Sequence, residues 1–131
     1  CVVMPESKLI KVGIAGLGRS GWNIHADAIA TMQSMFRVVA VVDSSPERLR
    51  EAVDRFGCRA YERFDEFVKD ESIDLIVVAT PSHMHVDHVI SSVQAGKHVI
   101  CEKPMAGTVE DADRVIQAVE AHDRQVAVFH N

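Results

Sequence analysis

The stretch LIKVGIAGLGRSG, residues 9–21, decides how this chain folds. Its first seven residues are a short apolar run with β-branched Ile10, Val12 and Ile14, and the run halts at a cluster of glycines. Such a run predicts a strand that ends in a tight turn. Beyond the turn, residues 19–32 place Trp22, Ile24, Ala26, Ile29 and Ala30 at helical intervals. The same alternation then continues along the chain. FRVVAVV at 36–42 predicts a second strand, ended by Asp43. Ser45-Pro46 opens a helix with the stripe Leu49, Ala52, Val53 and Phe56, and Gly57 ends it. Residues 59–61 read as a very short third strand, followed by a brief helix carrying Phe64, Phe67 and Val68. Residues 73–79 (IDLIVVA) are nearly all apolar, the pattern of a strand covered on both faces. A helix is expected over 82–95, with Val86, Val89, Ile90 and Val93 facing inward, and a strand over 98–101. Thr108 caps a last helix with Val109, Ala112, Val115, Ile116 and Val119 along one side, and 125–129 form a sixth strand.

Strands alternating with helices imply an α/β domain of the Rossmann type: a doubly wound, mostly parallel sheet with helices on both faces. Two βαβαβ halves should meet where the strand order reverses. The 131 residues are one domain's worth, and all of 1–131 is assigned to it. Hydrophobic residues make up 47% and charged residues 25%, which argues against wholesale disorder. Net charge is −5, so the composition supplies no basic surface for nucleic acid. No apolar run approaches the roughly 18 residues that span a membrane, and the first residues lack the layout of a signal peptide. Cys1, Cys58 and Cys101 are odd in number and form no CxxC pair, which predicts a reducing, cytoplasmic setting.

Gly16, Gly18 and Gly21 form GxGxxG between the predicted first strand and helix. In that context the spacing is informative. Gly16 permits the tight turn, Gly18 lets the backbone approach a pyrophosphate, and Gly21 lets the helix pack closely on the strand. The amides from Leu17 through Arg19 and Ser20 would face the anion at the helix N-terminus. No Gly-Lys-Ser/Thr completes a Walker A loop. Asp43 lies 22 residues past Gly21, placed to accept hydrogen bonds from the adenosine ribose. Its charge would repel a 2′-phosphate, which favours NAD. Ser44, Ser45 and Arg48 are small, polar or cationic neighbours that keep NADP admissible. His83, His85 and His88 cannot all share one helical face, so no metal site is expected there.

Two further segments carry a resemblance. Thr80-Pro81-Ser82-His83-Met84-His85 follows the fourth strand, and Gly96-Lys97-His98-Val99-Ile100-Cys101-Glu102-Lys103-Pro104 contains the fifth. With the glycine turn, they resemble the TPxxxH and GKHVxxEKP patterns of the glucose–fructose oxidoreductase / inositol dehydrogenase (Gfo/Idh/MocA) family. The resemblance spans almost the whole chain. It implies a nicotinamide-dependent oxidoreductase acting on a hydroxyl or carbonyl carbon of sugars, cyclitols or related polyols. Thr80, Pro81 and His85 would wall the nicotinamide half, and Glu102 would contact the nicotinamide ribose or carboxamide region. Lys103 would orient the substrate and handle its proton. A lysine beside a positive nicotinamide has its pKa lowered, which suits a proton acceptor.

The family also implies a following α+β domain that completes the substrate site and carries homo-oligomer contacts; these 131 residues do not encode it. The chain alone is therefore expected to bind the dinucleotide but to turn over poorly. Two other readings stay open: a nucleotide-sensing regulatory protein of the same fold, and a flavin or S-adenosylmethionine domain.

Overall fold

The computed structural model describes residues 9–18, 28, 35–102 and 107–129. Six parallel strands form one sheet: β1 (Ile10–Ala15), β2 (Phe36–Val42), β3 (Arg59–Tyr61), β4 (Leu75–Val78), β5 (His98–Glu102) and β6 (Val126–Phe129). Their order across the sheet is β3-β2-β1-β4-β5-β6. The order runs outward from β1 in one direction and restarts from β4 in the other, which is the doubly wound arrangement the alternation predicts. The helices are α1 (Pro46–Phe56), α2 (Phe64–Phe67), α3 (His85–Gln94) and α4 (Val109–His122), with a 3-10 turn over Ser82–Met84 before α3. The helix expected over 19–32 lies outside the described residues except for Ala28, which is helical. Among the described residues no helix is long and apolar enough to cross a membrane.

Strand alternation divides the core in two. Val12 and Ile14 of β1 join Val38, Val41, Val77, Leu49 and Ala52 on the face beneath α1. Ala15, Ile76, Val78, Val99 and Cys101 point the other way, against Phe67, Val89, Val93, Val115 and Ala118. Every second residue of β4 is buried on each side, so its sequence shows no polar alternation. Gly13 belongs to this second face: a Cβ there would lie 2.8 Å from the Phe67 ring. The missing side chain makes room for the largest fully buried residue of the core.

The caps read from sequence are formed. The Ser45 hydroxyl accepts from the Arg48 amide with Pro46 in the first turn of α1. Thr108 accepts from the Asp111 amide at 3.1 Å. The predicted stripe of α4 is displaced, however. Val115 and Ala118 are buried, whereas Val109 is 78% and Ile116 52% exposed. The inward face is Val115 and Ala118, with Val119 of the predicted stripe packed against the same core.

A polar cluster fixes the return from α2 to β4. The Asp70 carboxylate accepts from Ser72 (2.6 Å from the hydroxyl), Tyr61 (2.8 Å) and Arg59 (2.9 Å). The buried Lys97 donates its ammonium to the Asp70 carbonyl at 2.6 Å. Burial lowers the pKa of Lys97, and the carbonyl bond keeps that buried ammonium satisfied.

Candidate functional site

Strand register builds the site. Ala15 pairs with Val42 on one side and with Val78 on the other, so β1, β2 and β4 end level. Val78 in turn pairs with Cys101. The residues that follow these ends, Gly16, Asp43, Ala79-Thr80 and Glu102, are therefore delivered to one rim. A cleft of about 590 Å³ opens there, at the point where strand order reverses. Crevices at this place are where open α/β sheets bind ligands, and the volume lies within the usual 300–1,000 Å³ of small-molecule sites.

The first glycine is fixed by its neighbours. Its amide donates to the Val42 carbonyl at 2.9 Å, and its φ is +92°. A Cβ at Gly16 would stand 2.7 Å from the Ala79 carbonyl oxygen. Only a residue without a side chain lets β1 turn here against the end of β4. Around Gly18, by contrast, the nearest atom that a Cβ would meet is the Arg48 guanidinium, 3.9 Å away. That leaves the backbone open to the cleft, as a cradle for a pyrophosphate requires.

Asp43 does more than the sequence indicated. One carboxylate oxygen accepts from the Leu17 amide at 2.7 Å and the other from the Ser45 amide at 2.8 Å. The side chain is only 7% exposed, with the Arg48 guanidinium 3.9 Å away and 54% exposed. Asp43 thus ties the glycine turn to the start of α1, and it lines the cleft with Ser44 and Arg48.

The opposite wall is Ala79-Thr80-Pro81. Thr80 is held twice: its hydroxyl meets His88 Nδ1 at 2.9 Å, and its carbonyl meets His85 Nε2 at 2.6 Å. His85 begins α3 and is buried, standing behind this wall as a helix-start residue. His88 lies in the cleft wall itself, its ring stacked on Phe64 with centroids 3.9 Å apart. Burial lowers its pKa, outweighing the attraction of Asp87, which favours the neutral ring. Among the described residues no group of three His, Cys, Asp or Glu is arranged to hold a metal ion.

Of the sequence-predicted site residues, Gly16, Gly18, Asp43, Ser44, Arg48, Thr80, Pro81 and Glu102 share the cleft; the Leu17 amide, expected to face the anion, is instead taken by the Asp43 carboxylate. Arg19, Ser20, Gly21 and Lys103 lie outside the described residues. Sequence reasoning missed Glu62, Phe64, Met84 and His88, which complete the lining with the strand-end residues Val42 and Ala79. Glu62 and Phe64 were discoverable: Tyr61 pairs with Val42, so the residues after β3 reach the same rim.

Comparison with known proteins agrees with this geometry. The Gfo/Idh/MocA pattern, described as an oxidoreductase family with an NAD-binding Rossmann fold, matches residues 10–130. The chain is 32% identical over 122 residues to scyllo-inositol 2-dehydrogenase (NADP(+)) IolW of Bacillus subtilis, covering 93% of this chain and 33% of that protein. It is 33% identical over 115 residues to myo-inositol 2-dehydrogenase of Thermotoga maritima, covering 87% and 34%. The WlbA dehydrogenase from Bordetella pertussis, solved in complex with NADH and UDP-GlcNAcA, superposes with a TM-score of 0.86 at 34% identity, covering 92% of this chain and 37% of that one. This chain spans about a third of the length of the curated relatives it matches. With its level strand ends, glycine turn and matching pattern, the chain belongs to the Gfo/Idh/MocA oxidoreductase family and forms its NAD-binding Rossmann domain.

Proposed function

We propose that the cleft between the glycine turn and the Thr80 wall holds the dinucleotide, with NAD preferred and NADP admitted. The observation that carries this reading is the convergence of Gly16, Gly18, Asp43 and Thr80 on one cleft at the strand ends. The turn from Gly16 to Gly21 takes the pyrophosphate, with backbone amides beyond Leu17 as donors, since those of Gly16 and Leu17 already bond Val42 and Asp43. Asp43 accepts from the adenosine ribose hydroxyls. Its oxygens already accept two amides and stand near Arg48. That partial compensation softens its repulsion of a 2′-phosphate, and Ser44 and Arg48 are the groups that would meet one. Thr80 and Pro81 bound the nicotinamide half, supported from behind by His85, and Glu102 contacts the nicotinamide ribose or carboxamide.

For the whole protein we propose an oxidoreductase acting on a hydroxyl or carbonyl carbon of a sugar, cyclitol or related polyol. The bound nicotinamide supplies the hydride acceptor or donor. Lys103 immediately follows Glu102 in the chain. Its role is to orient the reacting hydroxyl and hold or accept its proton, and its positive charge would steady a developing alkoxide. A further domain closes the substrate side, excludes water and carries homo-oligomer contacts, so the present chain binds dinucleotide with little turnover.

Calorimetric titration of the folded chain with NAD and with NADP tests the reading. Saturable binding of NAD, tighter than NADP, is expected. Tighter NADP binding would reassign the subsite to Ser44 and Arg48, and binding of neither would refute the proposal. In a full-length protein, Lys103→Met should abolish polyol oxidation while leaving NAD affinity within a few-fold; unchanged turnover would remove Lys103 from the chemistry.

A further inference from the structure

His88 is not part of the TPxxxH or GKHVxxEKP pattern, yet it lines the cleft wall. It lies eight residues beyond Thr80, on α3, and is 9% exposed. Its Nδ1 meets the Thr80 hydroxyl at 2.9 Å. Its ring face lies on Phe64, tilted by only 13°. The imidazole is therefore held on one face by packing and on one edge by a hydrogen bond, and both holding partners line the same cleft.

A neutral imidazole carries one proton, on one nitrogen. If Nε2 carries it, Nδ1 accepts from Thr80, and the threonine oxygen offers only lone pairs to the cleft. If Nδ1 carries it, Thr80 accepts from His88, and the threonine proton is free to donate. The ring thus links the polarity of two atoms on the wall. Holding the hydroxyl also fixes Thr80 in one rotamer, so a ligand meeting it loses less side-chain freedom on binding.

We propose that His88 is a positioning residue of the dinucleotide cleft, acting through the Thr80 hydroxyl. The inference rests on the dinucleotide reading above. Two substitutions separate the bond from the ring. His88→Asn keeps a polar atom where Nδ1 stands but removes the aromatic face. His88→Phe keeps the stack on Phe64 but removes the bond. Binding of NAD is measured by calorimetry on each variant, with thermal unfolding recorded in parallel.

His88→Phe is expected to weaken NAD binding by about fivefold to tenfold, the worth of one ordinary hydrogen bond, while His88→Asn stays within about twofold of the parent. Thr80→Val should match His88→Phe, and Thr80→Val/His88→Phe should be no worse than either alone. In the parent, addition of NAD should shift the imidazole ¹⁵N resonances of His88 as its tautomer balance changes. The reverse ranking, with Asn weak and Phe like the parent, overturns the proposal and makes the ring merely structural. Additive losses in the double variant, or unmoved His88 resonances, overturn it as well. Those outcomes leave NAD binding by the parent intact, whereas a parent that binds no NAD overturns the dinucleotide reading itself.

Discussion

Replacing Asp43 by asparagine should destabilise the chain before it says anything about ligand. The carboxylate accepts the Leu17 amide at 2.7 Å and the Ser45 amide at 2.8 Å from a side chain 7% exposed. Asparagine has one carbonyl oxygen and can serve only one of those amides; its NH2 would face the other. A hydrogen bond to a charged acceptor is worth about 1.5–3 kcal/mol, and the abandoned amide adds a desolvation cost of about 1–3 kcal/mol. Partial relaxation toward water at the cleft rim brings the expected loss to about 2–4 kcal/mol. For a chain of this size each kcal/mol moves the midpoint by about 4 °C, so Tm should fall on the order of 10 °C. Circular dichroism melts of parent and variant measure this directly. Amide exchange at Leu17 and Ser45 should quicken more than exchange in β5, because the lost acceptor is local. Arg48→Ala is the contrasting change. Its guanidinium is 3.9 Å from the carboxylate and 54% exposed, so Tm should move little. A variant Asp43→Asn that melts within about 2 °C of the parent would refute the claim that this carboxylate anchors the glycine turn. Any loss of NAD affinity in Asp43→Asn must accordingly be read well below its own transition, where the variant is folded.

Gly16→Ala combines a left-handed φ with a Cβ 2.7 Å from a backbone oxygen, and should cost at least about 3 kcal/mol; a melt unchanged from the parent would show that β1 can turn another way. Asp70 should make the chain acid-sensitive. Burial pushes its carboxyl up, but hydrogen bonds from Ser72, Tyr61 and Arg59 overcome that and hold it well below the ordinary 3.8. Its folded pKa is depressed, so its contribution is fully present above about pH 4 and drains away as pH falls toward the folded value. Stability measured from pH 4 down to pH 2 should drop less steeply in Asp70→Asn, and parallel curves would contradict the assignment. Cys101 is pushed up to about 12, by burial first and by Glu102 second. It should resist iodoacetamide at pH 8 in the folded chain and react on unfolding, as mapped by peptide mass spectrometry; rapid labelling under native conditions would show that β5 opens readily.

What the sequence disclosed, and what it withheld, follows from the range of the interactions involved. The strand ends were legible because glycine, Asp43 and Ser45-Pro46 are local signals, each acting within a few residues of itself. From them the level ends of β1, β2 and β4 follow, and with them the place of the cleft. The inward face of α4 was not legible. Val109 and Ile116 have the hydrophobicity of core residues but are exposed, because the roll of that helix buries Val115 and Ala118 instead. Helical periodicity identifies the helix without fixing which of two overlapping stripes meets the sheet.

The double role of Asp43 was hidden for a related reason. Spacing after Gly21 makes it a candidate ribose ligand, but its bonds to Leu17 and Ser45 join segments 26 and 2 residues away and depend on strand register. His88 is the clearest instance. It reaches Thr80 only because Pro81 and the 3-10 turn over Ser82–Met84 fold α3 back beside the end of β4. Phe64 reaches His88 only because β3 ends level with β2. Those two facts lie in different halves of the fold. A linear pattern records the residues that meet the ligand from the strand ends; it does not record the side chains that hold those residues in place. Members of such a family can therefore share their motifs and still differ in how firmly, and with what polarity, the cleft wall is presented.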